Sequence, residues 1–566
     1  MVGTFVSFLF FTLLVAFITW LKTKKDAVRT ADGYFLAGRS LTAPVIAGSL
    51  MLTNLSTEQL VGLNGVSFEE GFVCMAWETL ASLALVFLAV FFLPRYLKSG
   101  LTTIPQFMED RYDRGTRVLT DCLFLSGYLL ILLPTILYSG AIAVSGIFNL
   151  TDLLSLDETT VLWITVWVIG MTGSGYAIFG GLKSVAVSDS LNGIGLLVGG
   201  ILIPVFGLMA IGDGSLFTGL MTLRERHPEM FSAIGKETQS VPFSTLFTGM
   251  MLVNTFYWCT NQAIIQRALG AKNLMEGQKG VLLAAFLKLL GPIILVLPGI
   301  IAFHLFGPMD RADHAYPRLV QTVLPSWLTG FFVAVLVGAI LSSYNSALNS
   351  SATLFSKGIY CLYINQKSSE ADQVRVGKIF GSFISFLAMF GAPFISKAPQ
   401  GLFGYLQEIN GCYSIPILTV LLVGIFHKRV PPLAAKVALI CGVSLYIFTQ
   451  FILRVDLHFL HVMAILFLIN TMLMLGITVW RPRPREWVLK ETNQVEVDSW
   501  PFLYPASFLI IFGIIASYLI FSPLSLWWLM VPLGLSLTAM VYFYISGLFP
   551  LKEGRFARTG ELTDSP

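Results

Sequence analysis

A chain of 566 residues that is 55% hydrophobic and only 12% charged carries about half the charge of an ordinary soluble domain. Its net charge of +4 comes from basic residues in short segments between apolar runs, which speaks against a nucleic-acid surface. The six cysteines (74, 122, 259, 361, 412, 441) are scattered through apolar surroundings without the paired spacing of a metal site.

Apolar runs of roughly 20 residues predict an all-α polytopic membrane protein with about 15 spanning helices. Their cores lie near 4–21, 42–66, 71–94, 117–147, 160–179, 185–212, 243–267, 278–306, 325–356, 374–395, 402–426, 433–453, 458–480, 503–522 and 524–547. The first run lacks a basic leader and is followed by "LKTKKDAVR", so it reads as an uncleaved span with the N-terminus outside. The odd-numbered connections then lie inside and should hold the Lys and Arg excess, as "RYLKSG", "QRALGAKNLMEGQK", "HKRV" and "WRPRPREWVLK" do. "LRERHPEM", in the longest outside connection, is the exception. An odd helix count places the C-terminus in the cytoplasm of a cell whose inner membrane the chain crosses.

In chain order, the second run is interrupted. "SLMLTNLSTEQLVGLNG" (49–65) carries Asn54, Ser56, Thr57, Glu58 and Gln59 between apolar neighbours, and Glu78 follows in the third run. An ionisable residue at the centre of a span costs roughly 2.5–3.5 kcal/mol and so faces a bundle interior or a water-filled cavity. Asp189, just after Gly180 and Gly181, fits an ion exit path, a helix cap or a partner for Lys183. The seventh run, "MLVNTFYWCTNQAIIQR", is broken up by Asn254, Tyr257, Thr260, Asn261 and Gln262. Lys288 lies in the eighth run, Gln407 and Glu408 in the eleventh. The ninth, "GAILSSYNSALNSSATLF", presents Ser342, Ser343, Ser346, Ser350 and Ser351 as an uncharged hydroxyl face.

The two interrupted runs open two blocks of five helices. An odd number per block gives the halves opposite topology, and paired interruptions mark a transporter site at mid-membrane. The organisation expected is an N-terminal span and loop (1–40), a first repeat (41–212), an outside loop (213–242), an inverted second repeat (243–427), and accessory helices with a tail (428–566). Carboxylates, amides and one ammonium beside Tyr257 and Trp258 suit a neutral polyhydroxylated solute, whose hydroxyls donate and accept. An amino acid also fits, and a structural ion pair through Lys288 is the bland alternative. Serine hydroxyls in such helices commonly support helix packing. Set against carbonyls freed by a broken second helix, two of them complete a cage of neutral oxygens suited to Na⁺. Signatures of an enzyme (HExxH, GxSxG, a phosphate-binding loop) are missing, so no catalytic residue and no cofactor beyond a coupling ion is expected. A sensor or channel is the remaining, more distant reading.

"DGYFLAGRSL", "LTNLSTEQLVGLNG", "YAIFGGLKSVAVSD", "FYWCTNQAIIQRALGAK", "ADHAYPRLVQTVLP" and "LSSYNSALNSSATLF" resemble the sodium/solute symporter family, from about Tyr34 to Lys428. The likeness is to its bacterial sodium/sugar branch, akin to sodium/glucose cotransporters and YidK-type symporters. The resemblance implies a leucine-transporter-like 5+5 inverted repeat with additional N- and C-terminal helices, importing solute with Na⁺. It places solute contacts on Gln59, Glu78, Asn254, Lys288 and Gln407, and an inner gate on Tyr257. Ala81 stands where the family has a serine, which speaks against galactose itself. Sodium ligands fall on the carbonyls of Leu52, Leu55 and Ala339 and the hydroxyls of Ser342 and Ser343. The implied partners are Na⁺, a small solute such as a sugar, and the lipid bilayer.

Overall fold

The structure, a computed structural model, describes residues 2–23, 37–397, 402–492 and 494–522, apart from the side chains of 176–186 and a few single positions. The expected span 524–547 and the tail lie outside the described residues. Regular structure among the described residues is helical, save one isolated bridge between Leu41 and Ala271.

The helices that matter for the site are α1 (Val2–Thr23), α2 (Ala43–Asn54), α3 (Asn64–Glu70), α4 (Ala76–Phe87), α5 (Arg114–Gly127), α6 (Leu133–Phe148) and α7 (Glu158–Ile211). They continue as α8 (Gly249–Cys259), α9 (Gln262–Leu269), α10 (Leu274–Lys288), α11 (Leu297–Phe306), α12 (Ser326–Thr353) and α13 (Glu370–Gly391). The last four are α14 (Leu402–Phe426), α15 (Pro432–Ile447), α16 (Phe459–Trp480) and α17 (Leu503–Ile520). Their starts follow local chemistry. Asp113, Asp157, Asn261, Asn273 and Ser369 each accept an amide of the first turn, which satisfies donors that a helix cannot pair internally.

Nine helices among the described residues are long and apolar enough to cross a membrane, and α10 with the segment through α11, bent by 44°, makes a tenth. This is fewer than the expected 15 because several expected spans are broken or joined rather than missing. The run 42–66 is split into α2 and α3. The runs 160–179 and 185–212 both fall within the helical stretch α7. A straight helix of 54 residues would reach about 80 Å. Yet Gly173 packs on Tyr344 and Gly195 on Val335. Those partners stand nine residues apart on α12, whereas 22 residues of straight helix separate the glycines, so the chain doubles back between them.

The connections sort onto two faces. On one, the non-helical segment following α16 binds three connections that are distant in sequence. Arg483 N donates to Arg429 O (2.8 Å), Trp487 N to Lys428 O (3.1 Å) and Thr492 N to Lys98 O (3.0 Å), while Leu274 N donates to Glu496 O (2.9 Å). On the other face Ser240 N donates to the Glu70 carboxylate (2.9 and 3.0 Å), Ala233 N to Phe521 O (2.6 Å) and Arg311 Nη1 to Glu158 Oε1 (3.3 Å). Basic odd-numbered connections gather on the first face and even-numbered ones on the second.

Candidate functional site

The helix break sits where the sequence stops favouring helix. Thr53, Asn54, Ser56 and Thr57 are residues whose side chains compete for backbone groups. α2 ends at Asn54, and Leu55 takes ψ 62°, outside the helical range. The Ser56 amide, which in a helix would close on Leu52 O, donates to Asn54 O instead (2.7 Å), and the Gln59 amide, which would close on Leu55 O, donates to Ser56 O (3.1 Å). The carbonyls of Leu52 and Leu55 thus lose their helical partners inside a fully buried segment. Chain helicity resumes as a wide turn over Glu58–Leu63.

The middle of α12 faces this break. Ser343 Oγ donates to Thr53 O (3.0 Å), and Thr53 Oγ1 lies 3.5 Å from Ser346 Oγ. Ser342 Oγ is buried, with no well-formed hydrogen bond among the described residues, and its nearest polar neighbour is the Asp189 carboxylate. So α12 meets the break through Ser343 and Ser346, with Ser342 beside Ser343 and Ala339 one turn earlier on the same helix, all buried. The hydroxyl of Ser343 meets the carbonyl of Thr53 rather than that of Leu52. A buried hydroxyl without a well-formed bond is costly unless something polar enters, since each buried orphan costs about 1–3 kcal/mol.

The second interruption mirrors the first. α8 stops at Cys259, Thr260 leaves the helical region, and Asn261 caps α9 by accepting from Ala263 N (3.0 Å). Between the two breaks lies a small cavity of about 40 Å³. Gln59, Glu78, Asn254, Tyr257 and Gln407, five of the six residues expected at the solute, line it. Gln59 Oε1 is buried without a partner among the described residues. Asn254 Nδ2 donates to Met250 O in its own helix (3.0 Å), which orients the amide. Asn54 Nδ2 reaches the Tyr257 hydroxyl at 3.4 Å.

Lys288, the sixth, is not on the cavity wall. Its fully buried ammonium donates to Glu78 Oε2 (2.6 Å) and to Asn54 Oδ1, 5.4 Å from the Trp258 ring centroid. Both carboxylate and amide do line the cavity, so the lysine fixes two of its wall groups from behind. The Cβ of a side chain at Gly291 would stand 2.7 Å from Glu78 Cβ, so glycine there gives Glu78 its room. Glu58 and Glu408 do not line the cavity; the tyrosine hydroxyl of Tyr446 bonds Glu408 O (2.7 Å).

Asp189 does not stand alone: its Oδ2 accepts from Ser49 Oγ (2.8 Å) and sits 3.9 Å from Arg267 Nη2. Arg267 is fully buried and also donates to Ala263 O (2.6 Å) and Ser346 Oγ. Lys183 falls among side chains outside the description. Sequence reading missed Trp77, Asn410, Tyr413 and Ser414 on the cavity wall. The spacing 407, 410, 414 follows one helical face and is the signal that could have found the polar pair, since i, i+3 and i+7 share a stripe.

The Sodium:solute symporter family profile matches residues 34–442. The protein named uncharacterized symporter YidK of Escherichia coli (strain K12) is 49% identical over 512 residues, 90% of each chain. The sodium/glucose cotransporter of Vibrio parahaemolyticus is 31% identical over 477 residues, 79% of this chain and 86% of that one. A solved structure of a Na⁺-coupled sialic acid symporter in a substrate-bound outward-open state superposes with a TM-score of 0.73 at 18% identity, covering 86% of this chain and 99% of that one. At that identity the likeness carries the fold alone, one of the leucine-transporter type.

Proposed function

The chain belongs to the sodium:solute symporter family and is a multi-pass membrane protein that couples sodium to solute transport, and from that premise we propose that its solute is a sugar. The observation that carries this reading is the cavity wall: a carboxylate, six amides (Asn54, Gln59, Asn254, Asn261, Gln407, Asn410), hydroxyls and aromatic rings, among them Trp77, Tyr257 and Trp258. A sugar needs donors and acceptors on every side and an apolar ring for its C–H face. The relatives named as sodium/glucose and sodium/myo-inositol cotransporters support the same class.

In the proposed cycle Na⁺ enters between the carbonyls of Leu52, Leu55 and Ala339 and the hydroxyls of Ser342 and Ser343, displacing the contact of Ser343 with Thr53. Occupying that point orders the segment that continues into Gln59, a cavity residue. Two ligands that order one element help each other by equal factors. Each inward Na⁺ supplies roughly 2.3 kcal/mol per 100 mV, enough for about 50-fold accumulation from voltage alone. The repeats 41–212 and 243–427 rock about the site, Tyr257 closes it toward the inner side, and the polar neighbourhood of Asp189 lies on the ion's way out. The basic face is the cytoplasmic one, and the membrane is the inner membrane of a bacterial cell.

The test is uptake into vesicles of a panel of labelled sugars, proline and carboxylates, with and without an inward Na⁺ gradient. Na⁺-dependent accumulation of one or more sugars supports the reading. Accumulation of proline or a carboxylate while every sugar is ignored would refute it.

A further inference from the structure

We propose that the segment following α16, with the connection after α14, forms a binding site for the headgroup of an anionic phospholipid. The segment starts "RPRPREW", and its alternate prolines lack the N–H that helix or ladder would use, so the chain leaves α16 extended. It is then pinned in place. Arg483 N bonds Arg429 O (2.8 Å), and Trp487 N bonds Lys428 O (3.1 Å), which lays 483–487 alongside 428–429. Arg483 Nη1 donates to Arg111 O (2.7 Å) and Trp487 Nε1 to Asp110 O (3.1 Å).

Those contacts consume only some of the charge. Within 428–429 and 481–486 there are five cations, Lys428, Arg429, Arg481, Arg483 and Arg485, and one carboxylate, Glu486. Arg483 is spent on the backbone, and Arg429 pairs with Glu486 (3.3 Å). Lys428 and Arg485 are exposed with no side-chain partner among the described residues, and Arg481 only overlies the ring of Trp480 (4.7 Å). Three exposed cations therefore lie on two segments that backbone bonds hold side by side, without an anion of the protein paired to them among the described residues.

The surroundings decide what anion they take. α16 is an apolar membrane span ending at Trp480. Val479 is 85% and Trp480 71% exposed, so the last turn presents apolar surface beside the cations. Tryptophan at a span end marks the headgroup level of a bilayer. A free phosphate would satisfy the cations and leave that surface uncovered, whereas a phospholipid covers it with its acyl chains and meets Lys428, Arg481 and Arg485 with its phosphate. Basic pockets at the inner ends of spans take such headgroups.

The test uses the full-length chain in nanodiscs or mild detergent, with retained lipid counted by native mass spectrometry after exposure to equimolar phosphatidylglycerol and phosphatidylcholine. Each cation near an anionic surface is worth roughly fivefold. The wild type should therefore retain phosphatidylglycerol preferentially, Lys428→Gln should reduce that preference about fivefold, and Lys428→Ala/Arg481→Ala/Arg485→Ala about 100-fold. The charge-preserving Lys428→Arg/Arg481→Lys/Arg485→Lys should keep it, as should Arg224→Ala/Arg226→Ala on the opposite face. An unchanged preference in both neutralised variants overturns the proposal. Displacement of the retained lipid by inorganic phosphate at comparable concentration overturns it too, in favour of a free-anion site.

Discussion

Replacing Lys288 by Met separates two roles that the sequence leaves entangled. The ammonium and the Glu78 carboxylate are 0% and 2% exposed and 2.6 Å apart, so removing the cation strands a buried carboxylate. Breaking one partner of such a pair costs about 3–5 kcal/mol, a large share of the 5–15 kcal/mol that typically holds a protein folded. Replacing both partners by apolar groups is often nearly neutral. Lys288→Met should therefore lower folded yield and thermal stability sharply, and Lys288→Met/Glu78→Leu should recover most of both. The coupling between the two substitutions should be at least about 2 kcal/mol. Uptake should stay lost in the double variant, because Glu78 lines the cavity. Thermal unfolding followed by size-exclusion fluorescence, with vesicle uptake on the same preparations, reads both quantities. Additive stability effects, or a single variant that is stable and raises only the solute KM, would refute the assignment of Lys288 as a support and return it to direct solute contact.

Ser343→Ala and Ser342→Ala each remove one oxygen from the proposed sodium cage; at about 1.5–3 kcal/mol for a bond to a charged group, half-maximal uptake should need roughly 10- to 150-fold more Na⁺. An unaltered Na⁺ dependence in uptake assays would count against the cage. Tyr257→Ala should shorten solute retention in counterflow experiments, whereas Tyr257→Phe, which loses only the 3.4 Å contact with Asn54, should stay within about fivefold of wild type. Asp189→Asn should destabilise the protein by leaving Arg267 uncompensated, and Asp189→Asn/Arg267→Met should restore folding. If that double variant then transports at the wild-type rate, Asp189 has no part in the ion's path.

Both helix breaks were legible because they rest on local chemistry: four residues poor in helix surround Leu55, and Thr260 with Asn261 ends one helix and caps the next. Gln59, Glu78, Asn254, Tyr257 and Gln407 were legible as polar residues that a membrane interior does not tolerate without cause. What could not be read was pairing across the fold. Arg267 lies in "QRALGAK", which charge rules place in a surface connection, yet it is fully buried against Asp189 and Ser346. Lys288 reads as a solute contact, and its buried pairing with Asn54 and Glu78 is visible only in the fold. Trp77 and Tyr413 are ordinary aromatic positions in sequence and become wall residues only through the packing of α4 and α14 around α8. The Gly180–Gly181 pair suggested a division between two spans, and the contacts of Gly173 and Gly195 with α12 agree that the chain reverses between them.

The sharpest measurement is reciprocal binding, using the sugar best transported in the uptake panel. Its Kd is taken with and without saturating Na⁺, and the Kd of Na⁺ with and without saturating sugar. The account predicts equal enhancement factors in the wild type and no enhancement in Ser342→Ala/Ser343→Ala. A double variant that keeps the wild-type factor would show that sodium is held elsewhere and that the break in the second helix does not join the two ligands.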